Sequence, residues 1–331
     1  MSGASGGPVR AAMVPVTRRV RAYFAPVDRT TEQPAVFDPG KHGAFALASP
    51  PAPWLDLGWI DNFQRLCGTS SEALRAGSVG AVVGQFRGPL DARVEFDFRE
   101  WGKLQMALAG GSQHMNVLAP DPSADARPSG GVALTALALL AGSTATQIVL
   151  GAGVVDTFAV GDLVAVDADY EEQTGYVGSG IAAAYVNDPL DVNRDANYVR
   201  RVTFNVGRVA GKTVTALLLA QPLLGGDPPT GASAQKVVAF VDREGGSFFS
   251  EWSGLFVAEE ESGGRACFYY PRLRPNVVAG FQREEMVEVA KPVVALGLRA
   301  SFIALPYLDV NDGEMAVCYR SYFPAVAAGV Y

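Results

Sequence analysis

The segment from Val94 to Gly111 changes its period halfway along. Val94, Phe96 and Phe98 alternate with Glu95, Asp97 and Arg99, the two-residue period of a strand with one wet face. From Trp101 the apolar positions fall at Trp101, Leu104, Ala107 and Leu108, which is helical spacing. Gly110 and Gly111 then stop the helix. The pattern predicts a strand with an acidic face leading into a short amphipathic helix that presents Trp101, Leu104 and Leu108 to a core.

Elsewhere the pattern is mostly that of short strands and turns. Residues 1–60 have no sustained period and read as an extended arm. Trp54, Leu57, Trp59, Ile60 and Phe63 crowd its end. So many large apolar groups must bury on something, either the chain's own sandwich or a neighbouring copy. Thr69 with Glu72 three positions on forms a capping box, which predicts a short helix over 69–76. The stretch "AVVGQFRGPLDARVEFDF" reads as two strands around a Gly88–Pro89 turn.

Residues 119–130, "APDPSADARPSG", have linker composition. Beyond them, 131–240 reads as many short strands, with turns at Gly161–Asp162 and at Ala210–Gly211–Lys212, closed by a second linker, "GGDPPTGASA". Two linkers around a coherent block indicate a small β-barrel or sandwich inserted in a loop of another domain. After 240 come a hairpin around Ser262–Gly263–Gly264, a strand in "MVEVAKPVVAL", and a hairpin turning at Asn311–Asp312–Gly313.

Composition narrows the function. Apolar residues make up 49% of the 331-residue chain and charged residues only 18%. Ordinary domains carry about 25% charge, so either the core is large or part of the surface is buried against other copies. The net charge of −7 is opposed to gripping nucleic acid by its phosphates. Cys67, Cys267 and Cys318 are far apart, and His42 and His114 are the only histidines. That excludes the common zinc patterns. The N-terminus lacks the apolar run of a secretory signal. The most apolar stretch, 132–155, is divided at 142–147 and reads as two buried strands, not a membrane span.

Candidate chemistry is sparse. Asp167, Asp169, Glu171 and Glu172 lie within six positions but lack the glycine and terminal acid of a calcium loop. They read as an exposed acidic loop. His114 has no nucleophile elbow near it, and no phosphate-binding loop is present. The residues therefore predict no catalytic site, no metal and no cofactor.

The stretches "WLDLGWIDNFQR", "ALRAGSVGAVVGQFRG" and "ARVEFDFREWGKLQMALAGG", in that order, resemble the tail tube proteins (major tail proteins) of tailed bacteriophages over about residues 55–120. The resemblance implies a mainly β fold: a two-sheet β-sandwich or barrel with one flanking helix, formed by 61–130 and 241–331. Residues 1–60 would be its arm and 131–240 an inserted decoration domain. It further implies a virion protein that forms stacked, hexameric rings with itself, meets other tail proteins, and passes DNA as cargo through its channel. On that basis Trp54, Leu57, Trp59 and Ile60 are expected at the contact between rings. Glu95, Asp97, Glu259 and Glu260 are expected candidates to line the channel. The rival readings are a virion or cell-surface β-sandwich binding module and a hydrolase on a β scaffold.

Overall fold

The computed structural model describes residues 17–27, 33–76, 79–100, 102–111, 113–123, 134–167, 205–243, 251–261, 263–276 and 298–324. Along the chain run β1 (Thr17–Pro26), the single-turn helix α1 (Pro39–His42), β2 (Leu55–Ala76), β3 (Ala81–Phe98), α2 (Lys103–Gly110), β4 (Gln113–Leu118), β5 (Leu137–Ala138) and β6 (Gln147–Val149). Next come β7 (Leu163–Asp167), β8 (Val206–Lys212), β9 (Ala216–Leu219), β10 (Ser233–Arg243), β11 (Trp252–Glu260) and β12 (Arg265–Pro275). The last are β13 (Leu298–Leu305), β14 (Tyr307–Leu308), β15 (Met315–Ala316) and β16 (Tyr319–Phe323). The fold is mainly β.

The first sheet closes on itself. Its order is β11–β1–β2–β3–β13–β12, and β11 also pairs with β12, so six antiparallel strands form a barrel. Strand β12 is shared along its length: Arg272–Pro275 pair with β13, while Arg265–Tyr269 carry β16 outside the barrel. Phe24, Phe96, Phe256 and Phe302 fill the interior, each essentially inaccessible to solvent. Phe96 stacks on Phe302 at 5.7 Å, and Phe24 meets Phe302 at 5.2 Å and Phe256 at 5.8 Å. Offset and edge contacts of this kind add to the area term. At Gly254 a Cβ would lie 2.4 Å from the end of the buried Leu273 side chain, so any larger residue there would displace Leu273 from the core.

Alternation in β3 matches this wall: Val94, Phe96 and Phe98 are buried, while Glu95 and Asp97 are half-buried on the outer face. The helix predicted from Trp101 runs from Lys103. Leu104 and Leu108 are buried in the barrel core, and Gly111 ends the helix in the left-handed region at φ 57°, ψ 25°. Trp101 itself lies outside the described residues.

Residues 1–60 are not simply an arm. β1 is a barrel strand between β11 and β2, because Val20, Ala22 and Phe24 alternate into the same core. The following residues fold back over the outside of β1, β11 and β12. There Phe37 and Trp54 pack on Tyr23, Leu255, Val257 and Tyr269. Tyr23 donates to the Leu47 carbonyl (2.8 Å), Tyr269 to the Ala35 carbonyl (2.9 Å) and Arg265 to the Phe45 carbonyl (2.6 Å). Covered on both faces, β11 reads as a nearly continuous buried run.

The helix predicted at 69–76 is strand instead. Its backbone pairs with β3 from Thr69↔Leu90 to Ala76↔Ala81, and cross-strand pairing overrides a local capping signal. Gly88–Pro89 is likewise no turn. The register advances from Thr69↔Leu90 to Ser71↔Arg87, so β3 carries one extra residue there, a bulge of the kind that accommodates proline in a strand.

The second sheet has the order β4–β10–β7–β8–β9–β6, with β5 against β10. Its core holds Ile148, Val155, Phe158, Val164, Val166 and Leu217. The sheet draws in β4, so its strands begin at Gln113, earlier than the block edge expected at 131. β8 and β9 turn at 213–215, just after the expected Ala210–Lys212, where the Thr213 amide donates to the Ala216 carbonyl (2.8 Å). The hairpin at Gly263–Gly264 is present, with Glu259 opposite Arg265. Gly313 turns a shorter hairpin than expected: β14 pairs with β15, while β13 and β16 lie on β12 and not on each other. The strand expected in 286–296 and the acidic residues Asp169, Glu171 and Glu172 lie outside the described residues. No helix among the described residues is long and apolar enough to cross a membrane.

Candidate assembly surface

β2 and β3 are far longer than the barrel is tall. β1 pairs with β2 at Leu55–Ile60, and β13 pairs with β3 at Arg93–Phe98. Beyond Leu66 and Arg93 the two strands pair only with each other among the described residues. The result is a two-stranded hairpin whose free part, residues 67–76 in β2, extends about 33 Å at ~3.3 Å per residue. Leu66, Leu74, Val79, Val82, Val83 and Leu90 are all exposed on it, Val79 to 93%. From 66 to 90 the sequence has two arginines and one glutamate. Open edges, exposed apolar side chains and few charges make a pairing hazard unless something covers them.

At the hairpin's base the outer wall is polar and charge-balanced. Arg299 donates to Glu95 (2.7 Å), Arg99 binds Asp61 through two contacts (2.7 and 2.6 Å), and Asn62 donates to Asp97 (2.5 Å). The hydrogen bonds from Arg99 hold the Asp61 carboxyl below the usual carboxylate range. The face expected to be acidic is therefore interleaved with arginine. Asn62 makes this possible: its φ of 51° sits in a bulge where β2 gains a residue between Asp61 and Gln64.

The other expected acids part company. Glu259 is half-buried beside Arg265 (3.8 Å). Glu260 is buried and accepts from the Tyr322 hydroxyl (3.0 Å), which removes it from the solvent-facing set. Of the four residues expected between rings, Trp54, Leu57 and Ile60 are buried in the chain's own cores. Trp59 is half-buried between the guanidinium groups of Arg19 (4.4 Å) and Arg21 (5.2 Å). Their density signalled burial correctly, but the sheet that covers them is their own. What the pattern missed is the hairpin beyond Leu66, and the sparse charge of 66–90 was its visible signal.

Where the barrel meets the second sheet, a cleft of about 560 Å³ is lined by Asp56, Glu100, Lys103 and Arg208 among others. Lys103 donates to the Asn116 side chain and lies 5.6 Å from the centre of the Phe240 ring. Burial pushes its ammonium down to about 7. A second cleft, of about 480 Å³, opens on the outer face near β16 and is walled by Phe37, Tyr269, Tyr307 and Tyr319. His42 accepts at Nδ1 from the Asp38 amide (3.0 Å), and its ring stacks on Phe37. Among the described residues no group of three or more His, Cys, Asp or Glu side chains could hold a metal ion.

The architecture is that of a mainly β protein with a closed six-stranded antiparallel barrel and a second β-sheet unit. No protein-family model matches the chain, and no curated protein matches it.

Proposed function

We propose that the chain is a structural subunit of a phage tail tube, forming stacked rings with itself around a channel for DNA and meeting other tail proteins at the tube's ends. The observation that carries this reading is the projecting β2–β3 hairpin, whose edges are open and whose six apolar side chains are exposed among the described residues. A polymer of identical copies supplies such an element with the partner its edges and apolar side chains lack. The sequence resemblance over 55–120 spans the same hairpin and the helix after it. In this reading Glu95 and Asp97 face the channel. Their partners Arg299 and Asn62 make that wall mildly anionic at most, so it neither traps phosphates nor strongly repels them.

Negative-stain electron microscopy of the purified chain, with sedimentation over a range of concentrations, tests the proposal. Rings or tubes are expected. A monodisperse monomer at every concentration would overturn it and favour a surface-binding module.

A further inference from the structure

Outside the second sheet unit, two regions hold nearly all the large exposed apolar side chains of the described residues. One is the free hairpin, ending at Val79. The other surrounds the aromatic cleft, where Val36 and Val310 line the opening and Leu308 and Met315 stand exposed on the adjoining β14–β15 turn. The cleft is a formed cavity. Tyr319 stacks on Tyr269 at 5.7 Å and donates to Asp309 (2.7 Å), and Tyr307 donates to Gln33 (3.2 Å). Its walls are thus fixed and its mouth is apolar, the features of a site that accepts a protruding side chain.

From these features we infer that the hairpin tip of one copy, led by Val79, docks in the aromatic cleft of a second copy. The inference rests on the assembly reading above and names its contact. Charge agrees with the pairing. The cleft lining holds Asp38 and Asp309 against one cation, Arg320, and the adjoining turn adds Asp312 and Glu314, so the surroundings are acidic on balance. The hairpin carries Arg75, whose guanidinium reaches the Gly80 carbonyl (3.1 Å) at the tip. Opposite charges around an apolar centre favour this docking over tip against tip.

Distance directs the tip to another molecule. Arg65, at the hairpin's base, donates to Tyr270 (2.6 Å) and to the sulfur of Cys318 (3.4 Å). The base therefore stands next to the start of β16, one residue from Tyr319 of the cleft. The tip lies about 33 Å further out along the strands and does not meet its own cleft without folding back. Because tip and cleft are different surfaces, a copy that receives one neighbour's tip and offers its own to the next propagates the contact into a ring or a stack, whereas a reciprocal exchange between two copies would stop at a dimer. The inference takes the propagating form.

The test uses the full chain with Cys67→Ser, Val79→Cys and Val310→Cys, oxidised under conditions in which sedimentation shows association, with each single replacement alongside. The inference predicts a ladder of cross-linked trimers and larger species on a non-reducing gel. It also predicts that Val79→Asp and Val310→Asp each raise the concentration needed for association by about tenfold or more, since an apolar side chain and its cost of replacement by a charge are worth at least that factor. An associated chain that yields no ladder, or only dimers through Val79→Cys alone, overturns the inference and leaves the assembly reading standing. A chain that sediments as a monomer throughout overturns both.

Discussion

Strands β2 and β3 run from the barrel wall to the tip of the hairpin, and their two halves meet different surroundings. At the wall, Val94, Phe96 and Phe98 enter a core already occupied by Phe24, Phe256 and Phe302. Outward, beyond Leu66 and Arg93, the same two strands continue with apolar residues at 74, 82, 83 and 90, over which no other described element is laid. Hydrophobicity alone does not separate the halves. The difference lies in what closes over them: a six-strand circuit on one side, solvent on the other. On the proposed reading, the partner of this long, apolar and sparsely charged element belongs to another molecule.

The sharpest way to break this contrast is to truncate one residue in each half. Phe96→Ala should cost the barrel about 3–5 kcal/mol, the range for a buried aromatic, read from denaturant unfolding. Val83→Ala should change the unfolding of the dissociated chain by no more than about 0.5 kcal/mol. A large loss at Val83 would mean that the hairpin is packed within its own chain.

A smaller effect concerns the joint between the barrel and the second sheet, where burial lowers Lys103 to about 7 from an ordinary 10.5. Between those values the unfolded chain binds a proton that the folded chain does not, so folding gains stability as pH rises through this window. Below about 7 both states carry the charge, and the burden of burying it is at its full extent. The stability of the native chain relative to Lys103→Met should therefore climb from pH 7 towards 10.5. A flat difference would place the ammonium in water.

The smallest expected effect is on the outer wall. Glu95 and Arg299 form a pair in which Arg299 is 59% exposed, and exposed pairs contribute about 0–1 kcal/mol. A double-mutant cycle of Glu95→Ala and Arg299→Ala should give a coupling within that range and weaken with salt. A coupling well above it would mark this wall as buried in the assembled state.

Much of the barrel was legible in local pattern. The alternation at 94–98, the helical spacing of Leu104 and Leu108, and the glycine stop at Gly111 each depend on neighbours a few residues away. The alternation of Val20, Ala22 and Phe24 was equally visible, but the proline- and glycine-rich residues around it made the first 60 positions look like an arm. Closure was not legible. Nothing near Thr17–Pro26 says that these residues lie between β2 and β11, because that pairing joins residues more than two hundred positions apart. The 69–76 segment misled for a related reason: Thr69 and Glu72 signal a helix locally, while the strand they join is specified by residues 81–90 across the hairpin. The proposed assembly surface was readable only as a deficit of charge, and deficits have no period.

The central claim is that the outer hairpin exists for contact between copies. Its most direct test replaces residues 69–90 with the two-residue Asn-Gly turn that joins paired strands, linking Gly68 to its partner Asp91, and compares the shortened chain with the native one by sedimentation velocity. The account predicts that the shortened chain keeps the native circular dichroism and unfolding midpoint but sediments as a monomer where the native chain forms rings or tubes. Equal assembly by both chains would contradict it.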